Sequence, residues 1–306
     1  MLAFLQSELI PSIPLAEWTE SGVDWITDNF DGAFDVLDSV IDLIVGSLEY
    51  VLLAPPALIM VAILGVVAFL LASWRVALFT VLGLVFVISL DLWEAAMQTL
   101  ALVLAATGVA LVIGIPIGII AAKSEAVETV LRPVLDVAQT MPAFVYLVPI
   151  VVLLGIGAGP ALIATVVFAM PPAVRLTMLG IQQVPKDTVE AAHAFGATPW
   201  QTLFKVELPL SLKTIMAGVN QVIMLSLSMV VISGLAGAGG LGEPVVTGLS
   251  QLDTGLSFVG GLGIVVIAIM LDRVTRAMAE KDRGSTTKIF SRGKSSGRTP
   301  AEGEAA

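Results

Sequence analysis

The feature that most constrains this chain is a succession of apolar runs near or above the roughly 18–20 residues that a helix needs to cross a bilayer. They lie at about 52–72, 76–90, 95–122, 134–154, 160–181, 214–235 and 255–271. The second run is short and the third long, so tilt or trimming has to absorb the difference. The expected fold class is an all-α integral membrane protein with about seven transmembrane helices. A mean hydropathy of +0.97, with 57% hydrophobic and 13% charged residues, excludes a soluble domain. Residues 1–50 lack a basic start and a continuous apolar core, so no cleavable signal peptide is read there. Cysteine is absent, which leaves no disulfide framework, iron–sulfur cluster or thiol chemistry.

Charge orients the spans. Residues 1–50 hold ten acidic groups and no Lys or Arg, and all fifteen Lys and Arg lie from Arg75 onward. The positive-inside rule then places the N-terminus outside and the C-terminus in the cytoplasm. In that orientation Arg75, Lys123, Arg132, Lys186, Lys205, Lys213 and the tail from Arg273 fall inside, with Arg175 near the inner end of the fifth span. The outer segments 1–50, 91–94, 155–159 and 236–254 carry no basic residue.

Between the fifth and sixth spans stands a polar loop, 183–213. Asp187 has N-cap chemistry, with Glu190 at the capping-box spacing. Thr188 to Phe195 has room for about two turns, and Gly196 supplies a stop that tolerates positive φ. Thr198 caps again, with Pro199 at the first helical position and Gln201 at the box position. A second short helix is expected to about Val206, closed by Leu208-Pro209. Ala191 and Ala192 leave one surface nearly bare, so another protein could approach its backbone. The loop is either an ordered connector or a docking element, and a connector has no need of two caps.

These residues resemble the EAA loop of ABC-importer permeases: Glu190-Ala191-Ala192, three residues, Gly196, nine residues, Val206, one residue, Leu208-Pro209. The one departure is Val206 where isoleucine is common. Over roughly 91–273 the chain is similar to the permease subunit of glycine betaine/proline betaine uptake systems, notably in QTMPAFVYLVPI (139–150), MPPAVRLTMLGIQQVP (170–185) and the stretch 216–242. The resemblance implies a type I importer permease with the MetI-like fold in the cell's inner (cytoplasmic) membrane. Its partners would be a second permease copy, two cytoplasmic ATPase subunits that bind the ATP, and an external substrate-binding protein. Asp187, Glu190, Ala191, Ala192, Gly196, Leu208 and Pro209 would form the ATPase-coupling element. About 33 residues follow the last span, so the receptor would be a separate chain. The implied domains are an external acidic amphipathic segment (1–50), two leading spans (51–90), the permease core (91–273) and a basic, disordered cytoplasmic tail (274–306).

Rival readings fare worse. Gly293-Lys294-Ser295 ends like a P-loop, but the pattern wants glycine at 288, where Lys stands, and neither strand nor helix flanks it. Gly237-x-Gly239-x-x-Gly242 matches a dinucleotide fingerprint without its βαβ context and reads as a glycine-rich turn. No cofactor is therefore expected in this chain, nor a metal, nor a nucleic-acid partner. An ion-coupled secondary transporter would keep ionisable groups near mid-span, whereas Asp91, Glu94, Asp136, Arg175 and Asp272 lie near span ends. An intramembrane enzyme would need a nucleophile–base set, and His193 is the lone histidine.

Within the spans, Asn220, Met224 and Ser228 share a helix face. They either line a translocation path or bond between helices. Tyr146 is a further path candidate. Gly114 and Gly118 form a GxxxG around Pro116, read as close packing with a local kink. Phe144, Tyr146, Phe168 and Phe258 make no obvious aromatic cage for a quaternary ammonium. Substrate selectivity is therefore expected in the receptor, and choline, carnitine, proline, trimethylamine N-oxide or a sulfonium analogue stay open as substrates. Val23, Ile26, Phe30, Phe34, Leu37, Ile41, Ile44 and Leu48 step as one amphipathic stripe beside an acidic one, with Trp18 and Trp25 suited to an interface. That helix is read as lying at the outer surface against the permease body or receptor, or as acidic merely for translocation and solvation.

Overall fold

A computed structural model describes residues 14–292, and every regular element among them is helical. Three long helices form the centre: α4 (Trp93–Lys123), α7 (Ala158–Gln182) and α10 (Leu208–Ser233), numbered in chain order. The most extensive pairings are α7 with α10 and α4 with α7. Lipid gives apolar helices no hydrophobic reason to associate, so close approach over small residues has to supply the attraction. The sequence of α7 meets that demand. Ala161, Thr165, Ala169, Ala173 and Thr177 recur every fourth residue and are all buried. On α4, a Cβ placed on Gly118 would lie 2.6 Å from the Val174 carbonyl oxygen, and one on Gly114 would lie 2.8 Å from Ala173 Cβ. On α10, Gly218 faces the Pro172 carbonyl and the Leu176 side chain. The expected GxxxG packing is thus the α4–α7 contact itself.

The leading elements are α1 (Leu15–Leu53), α2 (Ala57–Leu71) and α3 (Trp74–Ser89). The runs read at 52–72 and 76–90 become α2 and α3, of 15 and 16 residues. At 1.5 Å per residue each is about 22–24 Å long, short of the ~30 Å hydrocarbon core. α2 meets the second half of α1 at 103°. The amphipathic helix read over 23–48 exists within α1, bent at Phe30, but its inward face is rotated. Ile41, Val45 and Leu52 are buried, whereas Ile26, Phe30, Leu37 and Ile44 of the expected stripe stay exposed. The rotation turns Asp38 toward the start of α7, where its Oδ1 would come within 2.1 Å of a Cβ on Gly159. A carboxylate there faces the positive end of the α7 dipole.

The expected span 134–154 is corrected. It is two helices, α5 (Glu125–Thr140) and α6 (Ala143–Leu154), bent by 94° at Met141-Pro142. Pro142 forces its predecessor into extended geometry, and Met141 has ψ 134°. α5 is amphipathic and clips to α7: Arg175 Nη2 donates to Asp136 Oδ1 at 2.5 Å, and Gln182 Nε2 to Glu128 Oε2 at 2.8 Å. The Tyr146 hydroxyl donates across the bend to the Ala138 carbonyl at 2.7 Å.

At the far end of the core, the glycine-rich sequence 237–242 is a turn, as read, leading into α11 (Gly242–Gln251). Gly237, Gly239 and Gly240 have φ near +70°. The Gly240 N–H donates to Gln98 Oε1 at 2.9 Å and the Leu241 N–H to Thr99 Oγ1 at 2.8 Å, so α4 satisfies the turn. α12 (Thr254–Arg292) runs on through 284–292, part of the tail expected to be disordered. Residues 293–306, with most of the P-loop-like RGKSS, lie outside the described residues, as do residues 1–13 of the external segment.

Gly118→Ala is expected to lower the thermal midpoint of the purified protein, with overpacking costing about 1–3 kcal/mol. Gly108→Ala, on the same helix with nothing within 4 Å of its Cβ, should not. Equal midpoints for the two variants would contradict the close-packed seam.

Candidate functional site

The loop 183–213 folds as two short helices that carry an exposed surface away from the core. α8 (Lys186–Ala194) begins two residues earlier than read. Pro185, not Asp187, occupies the N-cap position, and its carbonyl accepts from Thr188 N at 3.0 Å and Val189 N at 3.4 Å. Asp187 therefore sits in the first turn, where its charge complements the helix dipole. Glu190 and Ala191 are exposed and Ala192 half-exposed. α8 ends in a Schellman motif: Gly196 N–H donates to the His193 carbonyl at 2.9 Å, and Ala197 N–H to the Ala192 carbonyl at 3.0 Å. Gly196 has φ +82° and open space around its Cβ position. Glycine is required there by backbone conformation, not by crowding. His193 lies on the exposed side of α8, as expected of a surface residue.

Thr198 opens α9 (Pro199–Thr202) with both halves of the capping box. Its N–H donates to Gln201 Oε1 at 2.9 Å, and its Oγ1 accepts from Gln201 N at 3.3 Å. The expected closure at Leu208-Pro209 does not occur. Residues Leu203–Glu207 form a π turn that passes straight into α10. Proline removes the N–H that would bond back and crowds the carbonyl four residues earlier. The widened turn accommodates it at the start of the new helix. Leu208 is half-buried and Pro209 exposed.

Three aromatic rings project from this unit. Phe195 is 93% exposed, and Trp200 stacks on Phe204 at 5.8 Å, both exposed. Beneath Trp200 a cleft of about 500 Å³ runs between Val189 and His193 of α8, Leu203, and Ile119 and Ile120 of α4. At its floor the Lys123 ammonium pairs with the buried Glu207 carboxylate. Neither Phe195, Trp200 nor this pair was singled out as functional from the sequence. The available signal was Glu207, an acid directly before Leu208-Pro209, with Lys123 the first basic residue after a long apolar span.

The four path candidates are not brought together. Tyr146 is engaged with Ala138 and meets the Phe168 ring at 6.2 Å. Asn220 Oδ1 accepts from the Thr275 hydroxyl of α12 at 3.0 Å, an interhelical bond. Ser226 faces α4, 3.4 Å from the Thr107 hydroxyl. Met224 and Ser228 are exposed, and Gln221 with them. The open face of α10 therefore runs Ala217, Gln221, Met224, Ser228, one step round from the face expected.

The comparisons with known proteins agree with this geometry. The profile for the binding-protein-dependent transport system inner membrane component matches residues 114–282. The chain belongs to that family. It is 46% identical over 271 residues to the glycine betaine/proline betaine transport system permease protein of Escherichia coli K12, covering 89% of this chain and 77% of the relative. It is 49% identical over 276 residues to the glycine betaine/carnitine transport permease protein of Listeria monocytogenes, covering 89% and 98%. A chain of the MetNI methionine ABC transporter, in inward-facing conformations, superposes with TM-score 0.54 at 22% identity over 63% of this chain and 95% of its own, which shows the shared permease fold. This inner-membrane permease is a transport component and not itself an enzyme.

If Asn220 and Thr275 bond across the permease helices, Asn220→Ala and Thr275→Val should be non-additive. The double variant should be about 1 kcal/mol more stable than the sum of the singles predicts, read from unfolding of the purified protein. Strict additivity would contradict the contact.

Proposed function

We propose that this permease imports betaine-type quaternary ammonium solutes, glycine betaine and proline betaine foremost, at the expense of ATP hydrolysed by a separate subunit. The observation that carries the reading is α8: a helix with a bare alanine surface, a Schellman end and a projecting Phe195, set within the Glu-Ala-Ala…Gly…Leu-Pro pattern. Such a rigid, exposed element fits docking into a cleft of a cytoplasmic ATPase. Asp187, Glu190, Ala191 and Ala192 form the docked surface, and Gly196 fixes its exit angle. The π turn hands the movement of α8 to Leu208 and Pro209, the first residues of α10.

The charge pattern supports an outer N-terminus and a cytoplasmic C-terminus. The end of the bundle that gathers Lys123, Lys186 and Lys205 carries the docking loop, while the end built from 155–157 and 236–241 has no basic residue. A second copy of the chain, a pair of ATPase subunits and an external binding protein complete the assembly. The open face of α10 favours the second copy, because Gln221 and Ser228 are polar groups that should not meet lipid. With Met224 they are the proposed lining of the path. Tyr146 and Asn220 border it and hold neighbouring helices in place.

The substrate class rests on the relatives named for glycine betaine. Among the aromatic residues considered for a cage, only Tyr146 and Phe168 make a ring contact. That supports a weak, transient path and a receptor that holds the selectivity. Carnitine, choline, proline or trimethylamine N-oxide are the alternatives, and the identity of the ligand that loads the receptor decides among them.

Gly196→Val tests the coupling element. The branched side chain is strained at positive φ, so the turn should re-form while the spans still insert. The assembled complex is expected to hydrolyse ATP without solute-stimulated transport. Normal substrate-stimulated uptake in that variant would overturn the docking role of α8.

A further inference from the structure

The docking helix reaches the rest of the protomer by a narrow route. α8 packs chiefly on α9 and the π turn, and the π turn runs covalently into α10. Nothing covalent close by ties it to α4. The link to α4 is Glu207, the last residue of the π turn. It is 4% exposed, and its carboxylate takes the ammonium of Lys123, the last residue of α4. The pair lines the large cleft with Val189 and His193 and a second, smaller cleft with Lys186 and Glu190. It therefore stands where docking helix, π turn and α4 meet. A carboxylate so enclosed needs its partner: losing one member leaves an uncompensated buried charge. The π turn, in turn, is a single-turn departure from regular helix, the kind of segment often found at functional sites.

We propose that Lys123 and Glu207 are positioning residues, a charged strut that makes α4 follow the docking helix; this rests on the coupling reading of α8. Movement of α8 reaches α10 along the backbone. The strut carries the same movement to α4, which Gly114 and Gly118 lock to α7. With the strut cut, α4 follows the docking helix only indirectly, through the packing of α7 and α10, and hydrolysis moves the three central helices together less completely.

The test uses the full assembly of permease, ATPase and receptor in proteoliposomes, with glycine betaine as the solute. It reads solute moved per ATP hydrolysed, together with the thermal midpoint. Lys123→Met and Glu207→Gln are each expected to lower that ratio at least about fivefold, the lower end of typical coupling effects. Lys123→Arg, which keeps the charge, should hold the ratio near that of the unmodified complex. Ratios measured on complexes isolated after assembly separate coupling from poor folding. A lowered midpoint with an unchanged ratio would make the pair merely structural and overturn the proposal, as would loss of the ratio in Lys123→Arg equal to that in Lys123→Met. A different failure, no ATP-dependent uptake by the unmodified complex, would strike the coupling reading itself.

Discussion

Backbone-close packing of α4, α7 and α10 is the constraint on which the rest of the molecule depends. In a bilayer, burying one more leucine between helices gains little, because lipid is as apolar as the helix it displaces. Attraction then comes from the contacts that small residues permit. The ladder Ala161, Thr165, Ala169, Ala173, Thr177 on α7 and the glycines at 114, 118 and 218 provide them. Both ends of the bundle inherit their geometry from this seam. At one end Gln98 and Thr99 of α4 hold the glycine turn before α11. At the other, the last residue of α4 pairs with the π turn that precedes α10.

The chemistry of transport in this chain is mechanical and contains no bond-making step. A short helix stopped by Gly196 and a second one opened by Thr198 form a stiff handle, because the Gly196 and Ala197 N–H groups and the Thr198–Gln201 box are satisfied within the loop. Through the π turn the handle becomes the first turn of α10. Asn220 meets Thr275 and Thr107 meets Ser226 across helices, the Thr275 hydroxyl also reaching the Leu271 carbonyl of its own helix, whereas Gln221 and Ser228 open from the protomer surface on the face proposed for the path.

Much of this was legible in the residues, and the exceptions have physical causes. The long spans, the GxxxG contact, the Thr198–Gln201 box and the positive φ at Gly196 follow from local rules, and the structure bears each out. The break at Met141-Pro142 was hidden because an apolar average over 134–154 does not register a proline that starts a new helix. The start of α8 slipped because Pro185 supplies a free carbonyl and an extended entry, which an acidic residue at 187 imitates in sequence. Leu208-Pro209 looked like a stop, since a π turn has no sequence signature of its own. The Lys123–Glu207 pair joins residues 84 apart, beyond any periodicity. Asn220 and Gln221 are both polar, and only the position of α12 decides that Asn220 bonds between helices, one of the two roles read for it, while Gln221 stands on the open face.

The most direct test is uptake of labelled glycine betaine into proteoliposomes holding this permease with its ATPase, receptor outside and ATP trapped inside. Uptake that requires both ATP and the receptor is the predicted result. Uptake driven by a proton or sodium gradient, with neither ATPase nor receptor present, would contradict the account at its centre.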